Sequence, residues 1–356
     1  MCSIQKIYNA LETPEDAELH VKLSAAKVVR KGIDPKRNTW DELYELFKKE
    51  MANVVKSTTK LVGASGGPVQ TSTKPIGAIS LIHQLVGKDD SDDPPKRVFV
   101  ELGAGTGRFT VGAALYLNVL RLYEQLKHKD RAKGAFSVVG YELDENTGNM
   151  ATQALKRMHG THKASIDTTT VFHQNVYLLT DLPEDTTHLL MINCGFVPTL
   201  QLHILGLIAR AKKLKRFTLW LGHQTSDSIF RDCLFPALVV DQTTACPRKA
   251  DAVVFAGSTP LQMYVFDLTA TLRDHIRAYL DFASQPCTDN NGRTVALSKK
   301  YYGKLQRDIA TEQLNWNGKG KKRVRNPPPE FALVGKCHKK VMEIENLKRE
   351  QKKCRR

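Results

Sequence analysis

Between residue 97 and about residue 282, short unbroken apolar runs alternate with longer segments whose apolar residues recur at helical spacing. Such runs read as buried parallel strands, and the alternation predicts a parallel sheet with helices on both faces. Strands are expected at Val98–Val100, Phe136–Glu142, Thr168–His173, His188–Asn193 and Arg216–Gly222. Helices are expected at Arg108–Gln125, Glu145–Met158, Leu200–Lys212 and Thr271–Ala283, with a short one at Ser226–Leu234. Ala252–Ala256 and Gln262–Asp267 add two more strands, and Gly257-Ser258-Thr259-Pro260 reads as the hairpin turn between them.

Outside that stretch the pattern changes. Residues 1–90 read as a helical N-terminal region, residues 91–284 as the sheet domain and residues 285–356 as a basic extension. Thr39 is placed to cap a helix from Trp40 to about Lys56, with Asp41 and Glu42 in its first turn. Trp40, Leu43, Tyr44, Phe47 and Met51 form one apolar stripe, which reads as core packing. Lys60–Lys74 is rich in Gly, Ser and Thr and reads as a loop; Pro75-Ile76-Gly77 opens a helix over Ala78–Val86. Cys287–Gly292 also reads as a loop.

The first core strand runs into Glu101-Leu102-Gly103-Ala104-Gly105-Thr106-Gly107, and a helical pattern begins at once. Glycines permit a tight turn and let a ligand lie against bare backbone, while a helix N-terminus offers free N–H groups to the same space. A dinucleotide fingerprint needs G-x-G-x-x-G, but its third glycine position is Arg108. The Gly-Lys-Ser/Thr of a P-loop is absent. An acid at Glu101 repels a pyrophosphate and suits a ligand with an ammonium and ribose hydroxyls, as S-adenosylmethionine has. Glu142, at the end of the second strand, is placed to accept both ribose hydroxyls.

E-x-G-x-G-x-G after a strand resembles motif I of the class I methyltransferases, a resemblance that covers about 190 residues. It implies a seven-stranded sheet, S-adenosylmethionine as cofactor, and cofactor contacts from Glu101, Gly103, Ala104, Gly105, Thr106, Gly107, Glu142 and Leu143. In the wider fold the residue after the third strand often bonds the adenine amino group, which points to Asn175 with Val176 beside it.

The fourth strand leads into Asn193-Cys194-Gly195-Phe196-Val197-Pro198. The Asn/Asp-Pro-Pro-aromatic motif of adenine and glutamine methyltransferases is not matched, since Cys194-Gly195 replace the prolines. Over about 120 residues the layout is similar to the non-SET histone-lysine methyltransferases, the disruptor-of-telomeric-silencing family. There an apolar strand is followed by Asn, an aromatic, Pro, a helix and a Lys-rich turn. One Asn of that family's pair is matched, by Asn193, and its Tyr-Gly-Glu loop is replaced by Lys74-Pro75-Ile76-Gly77. This resemblance implies substrate-side roles for Asn193 and Phe196. His223 and Gln224 are further substrate-side candidates, while His173 reads as packing or surface.

The net charge is +16, and residues 299–356 carry 18 Lys or Arg against 6 Asp or Glu. Lys319, Lys321, Lys322, Arg323 and Arg325 stand almost without intervening acids. Such a segment attracts nucleosomal DNA or RNA with strongly salt-dependent affinity. The seven cysteines are scattered with no C-x-x-C pair, so free thiols in a reducing compartment are expected, with no zinc site. Met1–Lys22 contains four acids and reads as neither a secretory nor a transit segment. Lys322-Arg323-Val324-Arg325 fits a nuclear-import cluster. The expectation is a nuclear methyltransferase acting on a histone lysine. An RNA methyltransferase and a catalytically silent nucleic-acid-binding module are the alternatives, and the intact glycine loop argues against silence.

Overall fold

The computed structural model describes residues 39–59, 71–87, 96–127, 135–159, 166–194, 196, 198–220, 230, 233–234, 248–256 and 259–283, with the pairs 287–288 and 294–295. The elements in chain order are α1 (Trp40–Thr59), β1 (Thr71–Thr73), α2 (Pro75–Val86), β2 (Arg97–Leu102), α3 (Arg108–Lys127), β3 (Phe136–Glu142), α4 (Glu145–His159) and β4 (Thr169–His173). They continue with β5 (His188–Met191), α5 (Pro198–Arg210), β6 (Arg216–Trp220), β7 (Arg248–Ala256), β8 (Thr259–Asp267) and α6 (Ala270–Ala283). A short antiparallel pair follows, β9 (Cys287–Thr288), where a loop is expected, and β10 (Thr294–Val295), just beyond that loop.

The main sheet has eight strands in the order β1-β7-β8-β6-β5-β2-β3-β4. β4, β3, β2, β5 and β6 are mutually parallel, and β8 joins β6 antiparallel. Seven of the strands are the expected ones. The eighth, β1, lies in the stretch read as a loop; it pairs antiparallel with β7, Thr71 facing Ala256 and Thr73 facing Val254. Three polar residues give no apolar signal, so only tertiary pairing makes them a strand.

Side-chain alternation sends successive residues of β2 to opposite faces. Phe99 joins a core with Phe136, Val138 and the stripes of α1, α2, α3 and α4. Val98, Val100 and Leu102 join the other, with Ile204, Ile208, Leu272 and Ile276 of α5 and α6. The α1 stripe is buried as expected, and a reciprocal pair fixes the start of that helix: Glu42 N–H donates to Thr39 Oγ1 and Thr39 N–H donates to Glu42 Oε2. Inside this layer, Trp40 Nε1 donates to the Tyr116 hydroxyl at 2.6 Å, and His83 stacks on Tyr44 with centroids 3.5 Å apart. No helix among the described residues is long and apolar enough to cross a membrane.

Candidate functional site

Parallel strands all end at one edge, and in open α/β sheets that carboxyl edge holds the ligand crevice. Here it gathers the loop after β2, the turn after β3, the turn after β4 and the segment after β5. The loop seats on β3 through Gly103 N–H and Ala104 N–H, both donating to the Tyr141 carbonyl at 2.9 Å. Ala104 is buried, and its carbonyl accepts from Gly107 N–H. Gly140 makes this seat possible: a Cβ there would lie 2.9 Å from Thr110 Oγ1 and 3.0 Å from the Ala104 Cβ.

Gly103, Gly105 and Gly107 all have positive φ, at 79°, 55° and 80°. Their surroundings differ. A Cβ on Gly107 would meet the Ala151 Cβ at 3.0 Å, so this glycine lets α3 approach α4. A Cβ on Gly105 would meet no protein atom within 4 Å. Gly105 therefore presents bare backbone to open space, with Thr106 half-buried beside it.

Glu142 faces this opening. Its Oε2 accepts from Gly105 N–H at 2.6 Å and its Oε1 from Asp144 N–H at 3.0 Å, so one carboxylate ties two loops together. Burial pushes its carboxyl upward, while those N–H donors pull it back down. Each oxygen retains a further lone pair for a ligand hydroxyl. Leu143 is half-buried next to it, and its carbonyl accepts from exposed His173, which agrees with a surface role for that histidine.

Glu101 requires a correction. It is 2% exposed and receives the Thr110 hydroxyl at 2.5 Å. β2 runs on to Leu102, and alternation turns Glu101 onto the α3 face, beneath the loop. Desolvation, with the nearby Glu142 carboxylate, pushes its carboxyl up to about 8 although Thr110 opposes the shift. Glu101 is thus a neutral buried acid near pH 7 that supports the helix start, not a charge held out to a ligand ammonium.

Asn175 is buried, and its Oδ1 accepts from Tyr177 N–H at 3.0 Å, capping the 3-10 turn Val176–Leu178. Its Nδ2 is buried with no partner. The end left over is a donor that suits a ring nitrogen, and the second lone pair of Oδ1 is the one that would take the expected adenine amino group. Val176 is buried, and its carbonyl receives His203 Nε2 at 3.0 Å. Burial holds the His203 imidazole down at about 4, so it serves this turn as a neutral donor. Sequence reading misses His203, because its partner lies on another element.

Asn193 also differs from expectation. Its Nδ2 donates to the Trp220 carbonyl at 2.8 Å and its Oδ1 accepts from Trp220 N–H at 2.7 Å. Both ends of the amide are committed, and the residue is 3% exposed. Asn193 extends the β5–β6 ladder by one side chain, and its burial leaves the rest of the amide turned away from solvent. Phe196 is nearer the crevice: its ring edge lies 3.7 Å from where a Gly103 Cβ would stand, and its N–H donates to the Asn193 carbonyl. Cys194 packs against the α1–α4 core, and neither it nor Cys233 is in a disulfide. No group of side chains suited to a metal exists among the described residues. His223, Gln224, Lys319, Lys321, Lys322, Arg323 and Arg325 lie outside the described residues.

A groove of about 680 Å³ opens at the opposite edge, between Lys96, Asp185, Lys213 and Arg273. Asp185 receives both ammoniums at 2.6 Å, and Arg273 caps the carbonyls at the end of α5. It faces away from the glycine loop and belongs to the framework.

The strand order, the antiparallel β7–β8 hairpin and a glycine loop between β2 and α3 define the class I methyltransferase fold. No family model and no curated protein matches the chain. Among solved structures it is similar to magnesium protoporphyrin IX methyltransferase from Synechocystis, at 11% identity and TM-score 0.35, over 64% of this chain and 99% of that one. It is also similar to a putative O-methyltransferase from Klebsiella pneumoniae, at 12% identity and TM-score 0.36, over 62% and 90%. A human methyltransferase 10 domain containing protein is similar at 14% identity and TM-score 0.33, over 63% and 96%. At these values the likeness is distant, and the fold is defined by the strand order itself.

Proposed function

We propose that this chain is an S-adenosylmethionine-dependent methyltransferase. One observation carries the reading: the Glu142 carboxylate stands 2.6 Å from the N–H of Gly105, whose outer side is open. That pairing offers hydroxyl acceptors beside bare backbone, which a ribose with an attached amino-acid chain requires. In this reading Glu142 takes the ribose hydroxyls, Leu143 and Val176 provide apolar walls, and Asn175 Nδ2 meets a ring nitrogen. Gly103, Ala104, Gly105 and Thr106 line the amino-acid end.

When bound, the cofactor supplies a methyl group on a positively charged sulfur. The chain's task is to hold the acceptor in line with that methyl and to keep water away. Phe196, packed toward Gly103, supplies an apolar wall for both.

The acceptor in this reading is a histone lysine in chromatin, with the nucleus as the place of action. Three points support it. The basic sequence beyond residue 298 suits a polyanionic scaffold. β8 ends opposite the start of β6 and α6 packs on the end of α5, so the basic sequence follows directly on the sheet domain. The Asn193 amide, the kind of group that could bond a base edge, is engaged with Trp220. Tritiated methyl transfer to nucleosomes, free histones and total RNA in parallel tests this. Label on histones is expected; label confined to RNA would move the acceptor to nucleic acid, and label on none of them would remove the activity.

A further inference from the structure

Phe196, the apolar wall beside the glycine loop, stands outside any helix or strand, between β5 and α5. Something other than regular pairing holds it there. Its N–H donates to the Asn193 carbonyl at 3.1 Å, and its own carbonyl accepts from Gln201 Nε2 at 2.7 Å. Gln201 lies in the first turn of α5 and is 6% exposed.

Burying an amide costs free energy unless both of its ends are bonded, and a leucine would fill the same space without that demand. Here both ends are bonded. Gln201 Oε1 accepts from the N–H of Phe230 at 3.3 Å, and the Phe230 ring is fully enclosed in the core shared with α5 and α6. The partners fix which way the amide points, since its nitrogen can only donate and its oxygen only accept. Gln201 thus ties the Phe196 carbonyl to an anchored point of the core. Asn193 does the same on the other side, where it is bonded to Trp220. Two buried amides therefore hold the segment that carries Phe196.

We propose that Gln201 is a positioning residue: it fixes the Phe196 backbone, and through it the ring that sets how the acceptor meets the transferred methyl. The role rests on the methyltransferase reading and concerns the acceptor side. Glu142, Gly105 and Asn175 hold the cofactor without it.

The test uses the full chain with para-fluorophenylalanine placed at residue 196, and two substitutions. Gln201→Leu removes both bonds. Gln201→Glu keeps nearly the same shape, so it serves even if Gln201→Leu does not fold. Protonated, the carboxyl of that variant donates to the Phe196 carbonyl as the amide does; ionised, it can only repel it. Burial raises such a carboxyl, so spectra are compared at about pH 5.5 and about pH 9. The wild-type fluorine resonance should be sharp and alike at both. Gln201→Leu should shift or broaden it at both, and Gln201→Glu only at the higher pH. On nucleosomes, Gln201→Leu should lower kcat/KM at least about tenfold, with S-adenosylhomocysteine affinity within about twofold of wild type. Folded variants with a lower melting temperature but an unchanged resonance and unchanged kcat/KM would make Gln201 purely structural and overturn the proposal. A wild type that neither binds S-adenosylhomocysteine nor transfers methyl overturns the methyltransferase reading instead, and the fluorine spectra still judge whether Gln201 positions Phe196.

Discussion

Asn193 and Trp220 are joined by two hydrogen bonds, 2.8 Å and 2.7 Å long, between one side-chain amide and the backbone N–H and C=O of one residue. The amide imitates a strand residue and carries the β5–β6 pairing past the point where the backbones part. Asn193→Ala should therefore act on stability. Two lost bonds, which take a partner from both the Trp220 N–H and its carbonyl, amount to about 1–3 kcal/mol. Chemical denaturation should show that loss, while cofactor affinity in the folded variant stays near wild type. Unchanged stability with a collapsed turnover would return Asn193 to the chemistry.

Glu142→Ala should act on cofactor affinity. Each charge-assisted bond to a ribose hydroxyl is worth about 1.5–3 kcal/mol when buried, so affinity should fall at least about tenfold. The variant also unties Gly105 from Asp144, which adds to the loss. Calorimetry with S-adenosylmethionine checks this, and equal binding by the variant would end the assignment.

The glycines separate by what they face. Gly107→Ala adds left-handed strain and drives a Cβ to 3.0 Å from Ala151, so melting temperature should drop clearly. Gly105→Ala meets only strain, about 1–2 kcal/mol, with no clash. Its larger effect should be on cofactor affinity, because the new methyl occupies ligand space. Equal melting losses with unchanged affinity at Gly105 would mean that nothing binds there.

Two buried groups set opposing pH trends. Glu101 titrates at about 8 in the fold, well above an ordinary carboxyl. Between about pH 4.5 and 8 the folded chain holds one proton more than the unfolded chain, so this group makes stability fall as pH rises. His203 titrates at about 4 in the fold. Between about pH 4 and 6.5 the unfolded chain holds the extra proton, so this group makes stability rise with pH. Glu101→Gln should flatten the decline on the alkaline side and leave the acid limb in place. Denaturation midpoints across pH 4–9 read both, and a variant as steep as wild type above pH 6.5 would contradict the Glu101 value.

The basic extension should be separable from the cofactor site. Deleting residues 318–356 should preserve cofactor binding, weaken binding to nucleosomes and flatten its salt dependence. The same salt slope after truncation would make the segment a solvated appendage.

The parallel core is legible in the sequence because strands buried on both faces must be continuous apolar runs. The glycine loop is legible because positive φ at alternate positions demands Gly103, Gly105 and Gly107. What stays hidden depends on partners far along the chain. Thr71–Thr73 becomes a strand only against β7, and Asn193 finds Trp220 only once β5 and β6 are adjacent. Glu101 turns inward because β2 ends two residues later than its apolar run suggests, which leaves it inside the alternation. The unsatisfied atoms of Thr73, Arg108 and Asn175 are defined by what surrounds them, which residue spacing does not encode.

The helix α2 is fastened at both ends. Arg108 holds the Thr73 carbonyl just before its start, and Arg216 donates to the Val86 carbonyl at its finish, at 2.6 Å. Gly87 has φ 61°, which favours glycine, and a Cβ there would push the Arg216 guanidinium aside. Between these points Ile79, Leu81, Ile82 and Leu85 are fully enclosed. For protein engineering, this means the chain cannot be trimmed to a minimal catalytic fragment starting at residue 96. Such a fragment would expose a greasy flank along α3 and leave Arg216 without its carbonyl, so it should collect in inclusion bodies.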